Sequence, residues 1–591
     1  MKKTDRIRNI RVRSLAAILS VLMLAGAILA IPDLSDKTVY AETETWDYGY
    51  SGACTTAAEI DAAFPASYAV RLKQLLAAHP TWSFKAFYTG TAWEECFAHD
   101  ADYTIESEMR LSRNLVEYGT KPSSWYGSEV TGAFSWAGNS YTVLSAPSWV
   151  QASEAALRYT MDPRNWMSEE QIFQFFDQTS MSTLTAVQRV FRQVSGTNFW
   201  TRSGEEADLY WEEVLETPEE VRRESSGGAE GDSLIGSVTM RHYLTYAEAI
   251  YKIGRELGVN PVALAARIVN EQGLGNSPLI SGTQVFTLES GEQVSGYYNY
   301  FNMGATDSGT ASTELIITNG LREAYEGGWN TRYRALYGGA AKYAATYIHR
   351  GQNTIYSQKY CTDSRSSYRF WHQYMQAIVA PIAAARASYK SYADVGILDD
   401  TISFLIPVYD RMPADPEPEP TKDGNPNYKL GAIYVDGASV PGFNTDTLSY
   451  AVETTAAFIH VYVSAYADTS SVSVDGATAK GSISADVPVN LGDSTVRIVC
   501  TAENGDARTY TLYVTRSRKA VYYGDVDYNG VVDRTDLSYL TEYILGRDYM
   551  TDEMKEAADI NGDGYIDIQD VSYIVAYLLG YMKEIPQRQV P

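Results

Sequence analysis

The sequence predicts a multidomain protein. An α+β module occupies residues 61–235, a mainly α domain 236–392, an all-β sandwich 428–517, and a small α module with two acidic loops 521–583. Three observations carry this reading. Apolar residues recur at spacings of three and four around residues 244–271, the helical period. Residues 428–516 instead alternate in short runs, broken at Asp436-Gly437, Asp475-Gly476 and Asn504-Gly505, which is hairpin-turn chemistry. An Asp/Asn/Gly pattern at 525–536 repeats 34 residues later at 559–570. With 591 residues, several such segments can each bury a core.

At the N-terminus, Lys2, Lys3, Arg6, Arg8, Arg11 and Arg13 precede an apolar run over residues 15–30, and Val39-Tyr40-Ala41 fits a small-residue cleavage site. Residues 1–41 therefore read as a secretory signal peptide. No other stretch is apolar enough to span a membrane, so the mature product is expected to be soluble and secreted outside the cell. The formal net charge of -25 argues against a nucleic-acid partner. The four cysteines, Cys54, Cys96, Cys361 and Cys500, show no CxxC spacing, so neither a zinc site nor a disulfide framework is indicated; Cys54 with Cys96 is one conceivable bridge. The six histidines include no HExxH pair, which weighs against a zinc peptidase.

In the first module, Leu72, Leu75 and Leu76 form a helical face, and residues 79–87 alternate like a strand at Trp82, Phe84 and Ala86. Ser168 and Gln171 form a capping box with Met167 and Ile172 as a staple, so a helix is expected from Glu169, burying Ile172, Phe173 and Phe176. The polar, Gly-rich residues 222–232 form a joint to the next domain.

That domain centres on Glu271. A helix over 244–257 stops at Gly258; Asn260 is an N-cap, Pro261 a first-turn residue, and Gly273 and Gly275 end the second helix. Leu264, Ile268 and Glu271 share one face. Partial desolvation and the negative helix end should raise the pKa of this carboxyl, as a general acid for glycosidic cleavage requires. The plain alternative is a polar residue in an ordinary helix cap.

Further motifs follow in order: residues 296–305 (GYYNYFNMGA), 328–331 (GWNT), 338–343 (GGAAKY) and 351–356 (GQNTIY). This order over 236–392 resembles the endo-β-N-acetylglucosaminidase domain of bacterial autolysins, glycoside hydrolase family 73. The resemblance implies a lysozyme-like fold, with Glu271 protonating the leaving oxygen. It allows either a substrate-assisted path through the N-acetyl group or an inverting path with a second carboxylate on a mobile lobe. Glu292 and Glu289, flanking Ser290-Gly291 in an expected hairpin, are candidates for that carboxylate, and Glu314 is a weaker one. Tyr298 and Asn302 match the motif lining the sugar site; Tyr343 and Tyr356 follow the later motifs and could orient an N-acetyl group. The module ahead of it resembles a segment that precedes glucosaminidase domains in secreted proteins of Gram-positive anaerobes.

Residues 401–409 read as a terminal strand, and 413–427 as an acidic, Pro-rich, semi-rigid linker. The sandwich resembles the cadherin-like domain of bacterial surface proteins, a spacer or weak sugar-binding module. In the acidic loops, Asp525, Asp527, Asn529, Val531, Asp533 and Asp536 occupy calcium-loop positions 1, 3, 5, 7, 9 and 12; Asp559, Asn561, Asp563, Tyr565, Asp567 and Asp570 repeat them. Val531 and Tyr565 would give backbone carbonyls, and Gly530 and Gly564 permit the turn. Leu537, Leu540, Ile544 and Leu545, then Val571, Ile574, Val575 and Leu578, make the following helices apolar. Asp at position 12, with no regular helix before the first loop, resembles the type I dockerin. That implies two structural calcium ions and a cohesin partner contacted by Arg534, Thr535, Ile568 and Gln569. The expected whole is a secreted, dockerin-tethered peptidoglycan hydrolase (cell-wall autolysin type, cellulosome-like attachment). Alternatives are a muramidase or lytic transglycosylase, and a non-catalytic wall-binding or assembly protein.

Overall fold

The computed structural model describes residues 49–98, 107–191, 209–216, 237–272, 275–305, 313–517, 521–547 and 549–587. The expected signal peptide, the joint at 222–232, the module boundary near 235 and Gly273 lie outside the described residues. The chain forms two compact units, Met1–Pro426 and Asn427–Pro591. Among the described residues no helix is long and apolar enough to cross a membrane.

In the first unit, the expected strand at 79–87 is β1 (Trp82–Ala92), which pairs in parallel with β2 (Ile402–Asp410), Trp82 opposite Ile402 and Tyr88 opposite Val408. Every residue of β2 before Asp410 is buried, as in a parallel strand covered on both faces. The strand expected to close the helical domain therefore lies inside the core. One buried cluster runs from Cys54 to Tyr409 and joins Trp82 and Phe173 to Ile268 and Tyr356.

The cap at Ser168 forms, with the Gln171 amide N–H donating to Ser168 Oγ at 3.3 Å, and Ile172, Phe173 and Phe176 are buried as expected. The helix does not continue: only a 3-10 turn spans Gln171–Phe175. The next residues pair with β2 instead, Phe176 bridging Phe404 and the Asp177 N–H donating to Ser403 O at 2.9 Å. All four cysteines are free and buried, so Cys54 and Cys96 are not bridged. The Pro-rich stretch is not a free linker at its start. An extended Pro-rich chain leaves its carbonyls without internal partners. Arg164, buried and paired with Asp162 at 2.7 Å, donates to the carbonyls of Pro413, Ala414 and Asp415, and Trp125 Nε1 donates to Pro420 O.

The expected helix pair is present as α1 (Tyr246–Leu257) and α2 (Pro261–Glu271). Gly258 takes φ +67 to end α1, a left-handed cap that glycine adopts without strain. Asn260 Oδ1 caps α2, accepting from the N–H groups of Val262 and Ala263. Leu264 and Ile268 are fully buried, which fixes the face on which Glu271 emerges. A third helix, α3 (Arg332–Thr346), carries Tyr343.

The second unit begins with a sandwich of β3 (Leu430–Val435), β4 (Ala438–Ser439), β5 (Ser449–Thr454), β6 (Phe458–Ala465), β7 (Ser471–Val474), β8 (Ala477–Lys480), β9 (Ser482–Pro488), β10 (Gly492–Thr501) and β11 (Ala507–Arg516). The sheets run β4-β3-β6-β9 and β5-β11-β10-β7-β8. The turns at Asp436-Gly437 and Asp475-Gly476 have φ > 0 at both residues, the primed-turn geometry expected of their Asp-Gly sequences. Alternation is clear in β6, where Ile459, Val461 and Val463 are buried. The unit ends with α4 (Arg534–Ile544), α5 (Asp552–Ala558) and α6 (Ile568–Leu578); α5 was not expected. Leu540, Val571 and Ile574 are buried, but Ile544, Leu545 and Leu578 are exposed. Those three lie in or just past the final turns of their helices, where the apolar period outlasts the packing.

Candidate functional site

Glu271 sits in the last turn of α2 with its side chain 15% exposed. Asn302, in the left-handed region at φ +53, donates Nδ2 to Glu271 Oε2 at 2.7 Å and to the Glu271 carbonyl at 3.2 Å. The αL conformation, which Asn tolerates better than most residues, aims the amide back at the helix end. Gln272 is buried and fixes Asn302 in turn: its Nε2 lies 2.8 Å from Asn302 Oδ1 and also reaches the carbonyls of Asn299 and Tyr300. That relay leaves the Asn302 NH2 facing the carboxylate.

On the other side, Arg267 Nη2 lies 3.6 Å from Glu271 Oε1, one helical turn back. Tyr343 and Tyr374 cover this guanidinium, their ring centroids 4.5 and 5.1 Å from it, and Nη2 reaches the Tyr374 hydroxyl at 3.1 Å. Burial pulls the Arg267 pKa down, but Tyr374, Glu271, Tyr343 and Tyr347 together outweigh it and the net shift is upward, so the group stays cationic. Tyr343 OH is held by Gln178, at 2.5 Å, and by Gln358, at 2.8 Å. Gln178 comes from the N-terminal segment, which thus helps to build the site. The low exposure expected of Glu271 is present; the facing cation was not foreseen.

The other candidates divide. Tyr298 packs on Gly282, where a Cβ would come within 2.5 Å of the Tyr298 hydroxyl, and Arg332 lies 4.9 Å over its ring. Tyr343 is buried beneath Arg267 rather than open to a ligand. Tyr356 lies elsewhere, 1% exposed, donating to Met161 O at 2.6 Å and bonded to Tyr409 OH at 2.7 Å. Its shared use with the N-terminal segment makes it a core residue, not a sugar contact. Glu289 and Glu292 sit exposed on the expected hairpin, whose strands are Phe286–Thr287 and Gln293–Val294, with Gly291 at φ +86 in the turn. Among the described residues, no hydrogen bond or ion pair joins either carboxylate to Glu271. Glu314 is exposed in the first turn of Thr313–Glu326. Arg267, Gln272 and Tyr374 join the site without being among the residues the sequence motifs single out. The i,i+4 spacing of Arg267 to Glu271 was a usable signal; the other two depend on tertiary contacts.

The acidic loops repeat their geometry as well as their sequence. Asp536 accepts from the N–H groups of Val526, Asp527 and Asp533, and Asp570 from those of Ile560, Asn561 and Asp567. Asp525 accepts from Gly530 N–H as Asp559 does from Gly564 N–H. Asp533 and Asp567 cap α4 and α6. Asp525, Asp527 and Asp536 bring one carboxylate oxygen each within 4.8 Å of one another. An all-oxygen, anionic set of this kind fits a hard divalent cation. Burial, together with the Asp527 charge, pushes the Asp536 carboxyl above its ordinary value despite its backbone donors. Arg534, Thr535, Ile568 and Gln569 are all exposed at the starts of α4 and α6.

Residues 523–579 match the Dockerin type I domain, and residues 430–517 the Cadherin-like beta sandwich domain. Among curated relatives, a bifunctional autolysin of Staphylococcus epidermidis is 28% identical over 165 residues, covering 27% of this chain and 11% of its own length. That of Staphylococcus aureus is 29% identical over 113 residues, 19% of this chain and 9% of its own. The chain thus spans a small part of those relatives. Similar solved structures include a major bifunctional autolysin, at 18% identity over 55% of this chain and 98% of that one with a TM-score of 0.32. S. aureus glucosaminidase B is 19% identical over 46% of this chain and 89% of that one, with a TM-score of 0.31.

Proposed function

We propose that this chain is a secreted peptidoglycan hydrolase that cuts β-1,4 bonds at N-acetylglucosamine and attaches through its dockerin to a cohesin-bearing scaffold. The relatives named as autolysins support the wall substrate, and the dockerin match supports the attachment. One observation carries the enzymatic reading: a single, mostly buried carboxylate at a helix end, held by an amide and a guanidinium. In that role Glu271 protonates the leaving oxygen as the glycosidic bond breaks. Asn302 orients the carboxylate, and Arg267 balances the charge left on Glu271 once the proton has gone.

The Glu271 cluster holds one carboxylate among the described residues, which favours the path in which the substrate's N-acetyl group acts as nucleophile. In the second reading, Glu292 or Glu289 activates water after the hairpin closes over the sugar. Mass spectrometry of digested wall tests the bond specificity. Reducing N-acetylglucosamine ends are expected; reducing muramic acid or 1,6-anhydromuramic acid ends would give the activity to a muramidase or a transglycosylase.

In the dockerin, the two loops would each hold one calcium ion. Asp525, Asp527, Asn529, Asp533 and Asp536 with the Val531 carbonyl form one set; Asp559, Asn561, Asp563, Asp567 and Asp570 with the Tyr565 carbonyl form the other. A bound ion would neutralise the clustered carboxylates, and Arg534, Thr535, Ile568 and Gln569 would face the cohesin.

A further inference from the structure

A second group of side chains lies beside the Glu271 cluster without belonging to it. Trp371 and Tyr368 are large aromatics and each is 43% exposed. Between them Phe370 is fully buried with φ +60, a left-handed conformation that is strained for a bulky residue. The strained turn sends Phe370 into the core and leaves its neighbours on the surface.

Guanidinium groups pack against both exposed rings. The buried Arg110 guanidinium lies 3.8 Å from the Trp371 ring centroid, and Arg113 lies 5.3 Å from it while donating to the Trp371 carbonyl at 3.0 Å. Arg350 lies 4.5 Å from the Tyr368 centroid. An aromatic fixed in advance loses little entropy when a ligand covers it. The location is also cationic in a chain of net charge -25. Burial and then Arg110 lower the Arg113 pKa; burial, then Arg350 and Arg113, lower His372 to about 4.

Contacts lead from this platform to the acid. His372 lies 5.2 Å from Tyr347, Tyr347 lies 5.6 Å from Tyr374, and Tyr374 bonds Arg267 beside Glu271. Trp371 and Tyr374 are three positions apart in the chain, so their Cα atoms are within about 11 Å.

We propose that Trp371 and Tyr368, with Arg113 and Arg350, form a glycan subsite for an acidic muropeptide. A sugar ring packs against the exposed part of the indole, and a carboxylate of the lactyl group or stem peptide meets the guanidinium groups. This rests on the peptidoglycan reading above and extends it to substrate selection. A neutral glycan uses the rings alone; the carboxylate adds charge-assisted hydrogen bonds.

Titration calorimetry on the full chain carrying Glu271→Gln tests the subsite without turnover. The ligands are a soluble glycan strand bearing stem peptides and a neutral chito-oligosaccharide of equal length. Trp371→Ala should weaken both about tenfold, and Trp371→Phe should restore most of that loss. Arg113→Gln should weaken the acidic strand about tenfold and the neutral one less than about twofold. If Glu271→Gln protein binds neither ligand, the glycan reading falls and this inference with it. If it binds both and Trp371→Ala binds equally well, this inference alone falls. Equal losses on both ligands for Arg113→Gln would overturn the acidic preference.

Discussion

Glu271 and Asp536 are both carboxylates drawn out of water at a helix terminus, one in the last turn of α2 and the other in the first turn of α4. Glu271 stands at the helix end that disfavours negative charge, and the protein sets Arg267 3.6 Å away. Asp536 stands at the end that favours negative charge and accepts three backbone N–H groups, but two more carboxylates lie within 4.8 Å. The first site carries its own counter-cation. The second gathers like charges, the donor set that suits a hard cation from solution. A carboxylate's role follows from what neutralises it, not from its residue type.

The largest expected effect breaks the second site. Chelating calcium from the full chain should abolish the cooperative melting of residues 521–583, because the clustered carboxylates then repel. Calorimetry that shows the same transitions with and without chelator would contradict the ion requirement. Next, Glu271→Gln should lower kcat on wall glycan by about 10²–10⁴-fold, the usual worth of a positioned acid. Asn302→Gly keeps the left-handed backbone and removes the amide; a kcat loss of about 10–100-fold is expected, the worth of a hydrogen bond to a charged group. An unchanged rate would remove Asn302 from the site.

Smaller effects sharpen the boundary between site and core. Tyr356→Phe should cost about 1–3 kcal/mol of stability through two lost buried hydrogen bonds, with kcat unaltered; a kcat change without a stability change would return Tyr356 to the site. His372 is held at about 4 in the folded chain against an ordinary value of 6.5. The unfolded chain therefore binds the extra proton first, so stability is full above pH 6.5 and falls as the pH drops towards 4. His372→Gln should flatten the melting temperature in that window, and an unchanged slope would assign the acid sensitivity to other groups.

Much of this was readable in the residues. Asn260-Pro261 and Gly258 placed α1 and α2, because caps are local chemistry. The Asp/Asn/Gly repeat placed both loops for the same reason, down to matched hydrogen bonds. What failed to show was long-range. The helix expected from Glu169 stops after one 3-10 turn because Phe176 and Asp177 pair with β2, more than 220 residues away in sequence. Tyr356 looked like a site residue because it sits in a motif, yet it seals a core built with Met161 and Tyr409. Arg164 captures the Pro-rich carbonyls through a buried ion pair that no spacing rule reveals.

The most direct test follows reducing-end release from soluble peptidoglycan strands by the parent chain, the chelated parent and Glu271→Gln. Rapid release is expected from the parent, a similar rate after chelation, and a loss of about 10²–10⁴-fold for Glu271→Gln. Release by Glu271→Gln at the parent rate would contradict the assignment of Glu271 as the acid.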